Sequence, residues 1–374
     1  MDLAEIRQRI DATDRQIVEL YEQRMDLCRE VAQYKIENGK KVFDHAREME
    51  KLAMVRSLAH GDFNEKGVQE LFEQLMSMSR KMQYQILTEH GSMGKLPFIE
   101  IEDLDREHSR VVFQGAEGSY SEIAMRTFFG KKVSAFHVDT FRDAMSAIDD
   151  GSADYAVLPI ENSTAGIVNE IFDLLVEFEN YIIGEQIIPI EHCLMGVPGS
   201  DIRDIRTVLS HPQSLMQSAD FLSARGWNQM SMKNNAFAAQ KVAQDGDRTQ
   251  AAIASELAAE TYGLKILERG VNSSDTNSTR FIIVTNQKVF CRGAQKISIC
   301  FELPHRSGSL YHMLSHFIYN DLNLCKIESR PMPDQDWEYR FFVDIEGSLS
   351  DGAVKNALRG LRDEAKHMRI LGTY

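Results

Sequence analysis

Near the start of the chain, Arg7, Arg24 and Lys35 fall in register with Leu3, Ile10, Asp14, Ile17, Leu20, Leu27 and Val31, at i, i+3, i+4 and i+7 spacing. A stripe of that kind should face a core. A cation held there needs an anionic partner, and Asp14 is the one acid on the stripe. Either the long side chains reach out along the helix edge to water, or they grip an anionic ligand. A rise of about 1.5 Å per residue puts Arg7 and Arg24 about 25 Å apart. One small molecule cannot meet both within one chain, so if both serve one site, Arg7 comes from a second protomer. The pattern runs from residue 3 to about 37, longer than an ordinary globular helix, and suggests helix pairing.

Two further helical patterns carry polar groups. Asp44, Arg47 and Glu48 stand at i, i+3, i+4 on one face, as in a surface salt-bridge ladder. A third stripe reads Val68, Phe72, Leu75, Ser79, Met82, Ile86, with Gln83 beside it. Ser79 and Gln83 are either tolerated polar packing or, with the cations, the lining of a small charged cavity.

A different chemistry is suggested by turns rich in hydroxyls. "NSSDTNSTRFIIV", residues 272–284, passes from small polar residues that favour loops to a strand-like apolar run, with Thr279 and Arg280 at the junction. "VVFQGAEGSYSEIA", "LPIENSTAGIVNEIFDLL" and "VLSHPQSLMQ" each read strand, turn, helix. They place Ser119 and Tyr120, Asn162, Ser163 and Thr164, and Ser210, His211 and Gln213 at strand ends, where α/β folds bind ligands. Helix capping is the plain alternative for each. Gly115 and Gly118 give G-x-x-G and not G-x-G-x-x-G, so no dinucleotide is expected there.

The elements that must carry these residues fall into segments. Residues 1–90 read as all-helical, 91–109 as a linker rich in Gly, Pro and acid, 110–286 as α/β, and 295–374 as strand, helix, strand, strand, helix, strand. The last is the ferredoxin-like α+β order. The 374 residues suffice for a multidomain protein. A net charge of −14 without a basic block argues against nucleic acid. Five scattered cysteines without a C-x-x-C pair suit a reducing cytoplasm and suggest no metal site. The N-terminus does not read as a signal peptide, and no apolar run is long enough to span a membrane.

The helical segment resembles the all-helical chorismate mutase family through "IRQRID", "EQRMDLCREVAQYK", "VFDHARE" and "SRKMQ". The resemblance implies a chorismate site of Arg7, Arg24, Lys35, Asp44, Arg47, Glu48, Ser79 and Gln83, in a dimer that lends Arg7 across. It also implies roles. Arg24 and the partner's copy of Arg7 would clamp two carboxylates, Lys35 and Gln83 would hydrogen-bond the breaking ether oxygen, and Glu48 would hold the ring hydroxyl. Asp44, Arg47 and Ser79 would orient the others.

"FQGAEGSYS", "PIENSTAG", "SHPQ" and "TRF" resemble prephenate dehydratase. The order of segments is similar to the bifunctional chorismate mutase–prephenate dehydratase family of phenylalanine biosynthesis. Ala116 stands where that family often has proline, and Ser163-Thr164-Ala165 replaces a Thr-Ser-Ser type run. The family implies a two-lobed fold like a periplasmic binding protein, needing no cofactor. Thr279 would assist loss of the ring hydroxyl. Ser119, Tyr120, Asn162, Ser163, Thr164, Ser210, His211, Gln213, Arg280 and Phe281 would bind prephenate. Arg280 either meets a carboxylate or braces the strand end.

Gly308-Ser309-Leu310 and Glu328-Ser329-Arg330 resemble the two effector motifs of the family's ACT domain, "GSLY" standing for the usual Gly-Ala-Leu-Val. The implied effector is phenylalanine. Two other readings compete: an amino-acid sensor that has lost catalysis, and a mutase–dehydrogenase, which would need the missing dinucleotide fingerprint.

Overall fold

The computed structural model describes residues 2–90, 97–304, 307–332 and 338–374. The chain forms two compact units, residues 1–97 with 295–370, and residues 98–294 with 371–374.

The first unit begins with three helices, α1 (Leu3–Glu37), α2 (His45–Leu58) and α3 (Asp62–Glu89). Asp2 caps α1 by accepting from the Ala4 amide, and Asp44 caps α2 by accepting from the Arg47 amide. Such caps satisfy amides that the first helical turn leaves unpaired. The inner helix is α3, whose Ser79, Arg80, Lys81, Gln83, Tyr84 and Leu87 are buried. By contrast, the stripe expected to be core on α1 lies open. Leu3 is 60% exposed, Leu20 64% and Leu27 61%, and only Met25 and Ala32 of that helix are buried. Amphipathic periodicity marks a face that seeks a partner, and within one chain α1 has too few neighbours to cover it.

The C-terminal part of this unit has strands Lys296–Glu302, Leu324–Pro331, Tyr339–Glu346 and His367–Thr373, with helices Ser309–Ile318 and Gly352–Glu364. Across the sheet the strands run 324–331, 339–346, 296–302, 367–373, which is the ferredoxin-like arrangement. Helical and C-terminal segments, expected as separate domains, pack as one unit. Tyr84 of α3 donates to the Asp363 carboxylate. Lys81 donates to Ser315 Oγ at 2.9 Å and sits 3.7 Å from the centre of the Tyr319 ring.

Gly360 is a point of close approach between the two C-terminal helices. A Cβ there would lie 2.4 Å from the ring of His316, which is 0% exposed and has nowhere to move. Gly360→Ala should therefore destabilise this unit. Overpacking costs about 1–3 kcal/mol, and better helix propensity returns about 1 kcal/mol. A fall in the thermal unfolding midpoint is the expected result.

Among its described residues the second unit has two larger sheets beside a two-stranded one. One orders strands Tyr181–Pro189, Ser278–Thr285, Tyr155–Asn162, Arg110–Gln114 and Ser134–Val138; the other orders Lys265–Glu268, Cys193–Gly196, Gln250–Ala254, Thr207–Ser210 and Asn228–Ser231. The chain leaves the first sheet after Pro189 and returns to it at Ser278, so two crossings join the two lobes. Asn272 clamps these crossings together: it accepts from the His192 amide at 2.6 Å and donates to the Ile190 carbonyl at 2.8 Å.

Two expectations need correction. Ile99–Ile101, inside the expected linker, is a strand paired in parallel with Val289–Cys291. Apolar alternation and an available edge carry it into the second unit, while residues 91–96 of that linker lie outside the described residues. In addition, Phe281, expected at the prephenate site, is 2% exposed and packs in a core cluster with Val111, Phe113, Val157 and Ile183. It shares a strand face with Thr279 but lies one pleat further in.

Candidate active sites

In the first unit α1 and α3 bring two pairs together. Arg24 Nη1 donates to Ser79 Oγ at 2.6 Å and to the Leu75 carbonyl at 3.1 Å. Ser79 Oγ in turn donates to that carbonyl at 2.7 Å, so the guanidinium is held on one side and its other donors remain for a ligand. Lys35 Nζ donates to Gln83 Oε1 at 3.1 Å and to the Val42 carbonyl at 2.6 Å. Gln83 thereby presents its amide nitrogen beside the ammonium. Burial lowers the pKa of Lys35, and the nearby Asp44 and Glu48 carboxylates work against that shift.

The other expected mutase residues are placed differently. Both Glu48 oxygens lie 2.5 Å from Arg80 Nη1. Asp44 is the cap of α2, just outside the helix, so the three-residue face read from spacing starts one position early. Arg47 extends into solvent and pairs with Glu50 at 2.6 Å. Arg7 is exposed near the start of α1. Sequence reasoning missed Arg80, although "SRKMQ" contains it; a charge at an inward helical position was the available signal.

In the second unit a hydrogen-bonded chain runs through the crossings. Asn162 Oδ1 accepts from the Thr164 and Ala165 amides at 3.0 and 2.8 Å. Backbone donors identify that atom as the oxygen, so Nδ2 must face the other way. It donates to Thr279 Oγ1 at 2.9 Å, to Asn277 Oδ1 at 2.8 Å and to the Ser278 carbonyl at 3.1 Å. Among the described residues, Thr279 accepts from Asn162 and its own hydroxyl proton is given to no protein group. A buried hydroxyl oriented as acceptor on one side has its proton available for a ligand on the other.

From Asn162 the chain continues outward. Thr164 Oγ1 donates to Asn162 Oδ1 at 2.8 Å and accepts from Gln217 Nε2 at 2.8 Å. Gln217 Oε1 then faces His192 Nε2 at 3.1 Å, and His192 Nδ1 lies 2.9 Å from the Tyr120 hydroxyl. Burial lowers the His192 pKa to about 4, so the ring is neutral at pH 7 with one N–H. Facing a carbonyl oxygen assigns that N–H to Nε2 and leaves Nδ1 as an acceptor, which shares the Tyr120 hydroxyl proton with the Glu191 carbonyl at 2.8 Å. Gln217 and His192 were missed from sequence; Gln217 lies one helical turn after Gln213, which was the visible hint.

The remaining expected residues serve their own turns. Ser119 caps the helix Tyr120–Phe129 by accepting from the Glu122 amide. Ser163 Oγ donates to the Thr276 carbonyl and accepts from the Ser278 amide. Ser210 is fully buried and donates to the Ile253 carbonyl at 2.6 Å. His211 Nδ1 accepts from the Gln213 amide at 3.2 Å and so caps its helix. Arg280 alternates with Thr279 to the other strand face, where its Nη1 lies 3.8 Å from Glu185. That placement favours the brace over the carboxylate role. In the G-x-x-G turn, Gly118 has a φ of +83°, and a Cβ there would meet the Ala258 Cα at 2.6 Å. Its glycine is explained by backbone packing.

Two family models match this chain: chorismate mutase type II over residues 6–84 and prephenate dehydratase over residues 111–289. The bifunctional chorismate mutase/prephenate dehydratase of Enterobacter agglomerans is 30% identical over 388 residues, covering 100% of this chain and 95% of that protein. This chain belongs to the bifunctional chorismate mutase/prephenate dehydratase family. Among solved structures, the prephenate dehydratase of Arthrobacter aurescens in complex with L-Phe is 28% identical with a TM-score of 0.66, covering 71% of this chain and 89% of that one. A quorum quenching acylase, GqqA, is 32% identical with a TM-score of 0.65, covering 71% and 97%. As a bifunctional chorismate mutase/prephenate dehydratase, the protein converts chorismate to prephenate and prephenate to phenylpyruvate, in phenylalanine biosynthesis.

Proposed function

We propose that the Lys35–Gln83 and Arg24–Ser79 pairs form the mutase site and that Thr279 acts in dehydration. The observation that carries this is the contact from Asn162 Nδ2 to Thr279 Oγ1, which leaves the threonine proton for substrate. Rearrangement of chorismate has no covalent intermediate. Catalysis there consists of holding a compact conformer and stabilising the charge that develops on the ether oxygen. Lys35 and the Gln83 amide serve that oxygen, while Arg24 takes a substrate carboxylate with a forked donor set. Glu48 holds the ring hydroxyl, with Asp44, Arg47 and Ser79 orienting their neighbours. A donor that strengthens as the C–O bond breaks favours the transition state over the substrate.

In the second step the C–CO2 bond breaks, its electrons enter the ring, and the ring hydroxyl leaves. Thr279 donates a hydrogen bond to that oxygen, which otherwise departs as a poor leaving group. Thr164, Ser163, Tyr120 and the turns at Ser119 and Ser210–Gln213 shape the pocket. No cofactor enters either step, because aromatisation drives the second.

The chain acts as a homodimer in this reading, with Arg7 lent across the pair. The exposed apolar stripe of α1 supports it. The C-terminal segment is an ACT domain that binds phenylalanine at Gly308, Ser309 and Leu310 and at Glu328, Ser329 and Arg330. Gly308 has a φ of +79° where the first motif opens its helix, and the second motif lies on the outermost strand of this unit's sheet. Cytoplasm is the proposed compartment; among the described residues no helix is long and apolar enough to cross a membrane.

The test is a time course of the purified protein with chorismate and no nucleotide, followed by mass spectrometry. Prephenate rising and then giving way to phenylpyruvate is the expected result. Prephenate accumulating without phenylpyruvate would overturn the assignment of Thr279, and unchanged chorismate would favour a sensor.

A further inference from the structure

Arg80 is a buried cation for which the mutase roles above have no use. Its side chain is 8% exposed, and it follows Ser79 on α3. One edge of the guanidinium holds Glu48, with Nη1 2.5 Å from each carboxylate oxygen. The other edge holds Glu364, through Nε at 3.0 Å and Nη2 at 2.8 Å. Glu364 is the last residue of the helix Gly352–Glu364. One guanidinium thus joins α2, α3 and the C-terminal segment. His316 Nε2 lies 3.1 Å from Glu364 Oε1, the same oxygen that Arg80 holds, and the Phe43 ring centre lies 5.1 Å from the Arg80 guanidinium carbon. A cavity of about 1010 Å³ is lined by Glu48, Arg80 and Glu364 and also by Ser309 and His312.

A buried guanidinium shared by two carboxylates divides its hydrogen bonds between them, and removing one changes its hold on the other. We propose that Arg80 is a positioning residue for the mutase, aiming Glu48 at the ring hydroxyl of chorismate, and that Glu364 makes this aim depend on the C-terminal segment. The inference rests on the reading of Glu48 as a chorismate-binding residue. Supporting it, the charges of Glu48 and Arg80 both act on Lys35, so the cluster lies within electrostatic reach of the ammonium assigned to the ether oxygen. When Glu364 withdraws or loses its charge, Arg80 closes on Glu48 alone. Glu48 is then a weaker acceptor for the substrate hydroxyl. That contact exists in the substrate complex and in the transition state alike, so its loss shows mainly in KM.

Mutase and dehydratase kinetics, with chorismate and prephenate supplied separately to the full chain, test this. Glu364→Gln keeps the shape and removes the charge; the expected result is a rise of about threefold or more in KM for chorismate with kcat less affected. Arg80→Met should lower mutase kcat/KM by about tenfold or more, and Arg80→Lys should recover part of the loss. Dehydratase constants should stay within about twofold in all three, since no group of that site is touched. Unchanged mutase constants in Glu364→Gln would overturn the link to the C-terminal segment, even if Arg80→Met fails to fold. Equal losses in Arg80→Lys and Arg80→Met, with dehydratase intact, would overturn the positioning role. Glu48→Gln separates the two readings. If it leaves the mutase intact, Glu48 is not a chorismate residue and the inference falls with it. If it alone lowers the mutase, Glu48 stands and the Arg80 relay is overturned.

Discussion

Thr279→Val should remove dehydration and leave the mutase untouched. The substitution keeps the branched shape and deletes the hydroxyl. Thr279 is buried on the strand Ser278–Thr285, so an isosteric residue preserves the packing. Asn162 Nδ2 loses one acceptor but retains Asn277 Oδ1 and the Ser278 carbonyl, so no buried donor is orphaned. What disappears is the proton facing the leaving hydroxyl. A positioned donor of this kind contributes about 10²–10⁴-fold, and a loss of that size in kcat with prephenate is expected. KM should change little, because the interaction strengthens only as the hydroxyl departs. Thr279→Ser keeps the hydroxyl and should retain much of the activity. Dehydration at the wild-type rate in the valine variant would remove Thr279 from the mechanism.

Lys35→Ala should have the converse effect. The ammonium is half-buried, with Gln83 Oε1 and the Val42 carbonyl as its hydrogen-bond partners. Both partners accept, so the lysine is held by its donors and not by a salt bridge. Its charge lies beside Gln83. Deleting a preorganised donor at an oxygen that gains charge costs about 10²–10³-fold or more in kcat. Phenylpyruvate formation from added prephenate should remain within about twofold, since that site belongs to the other compact unit. Burial also lowers the pKa of Lys35. The donor must be protonated to act, so the mutase rate should fall as pH rises through that depressed value. The alkaline limb should therefore begin below the range of an exposed lysine. A pH profile with no such limb, or a mutase intact in Lys35→Ala, would count against the assignment.

The local half of this protein was legible in its sequence. Helical spacing placed Arg24 and Lys35 on one face of α1, and Ser79 and Gln83 inward on α3, because a helix repeats its faces at a fixed period whatever surrounds it. Strand-to-helix turns were visible through their glycines and hydroxyls, and the order of six elements marked the ferredoxin-like segment. Tertiary structure alone decided which of these groups meet. The stripe on α1 is apolar by sequence but open in the chain, since covering it depends on what packs there. Arg47 turned to Glu50 in solvent, and Glu48 turned to Arg80, because pairing follows distance in space and the nearest cation to Glu48 is 32 residues away. Phe281 directly follows Thr279 and Arg280 in sequence, yet its place further along the strand puts it in the core. His192 carries no local signature, and Gln217 has only its place one helical turn after Gln213. They join Tyr120 to Asn162 only because the crossings between the two lobes fold them against each other.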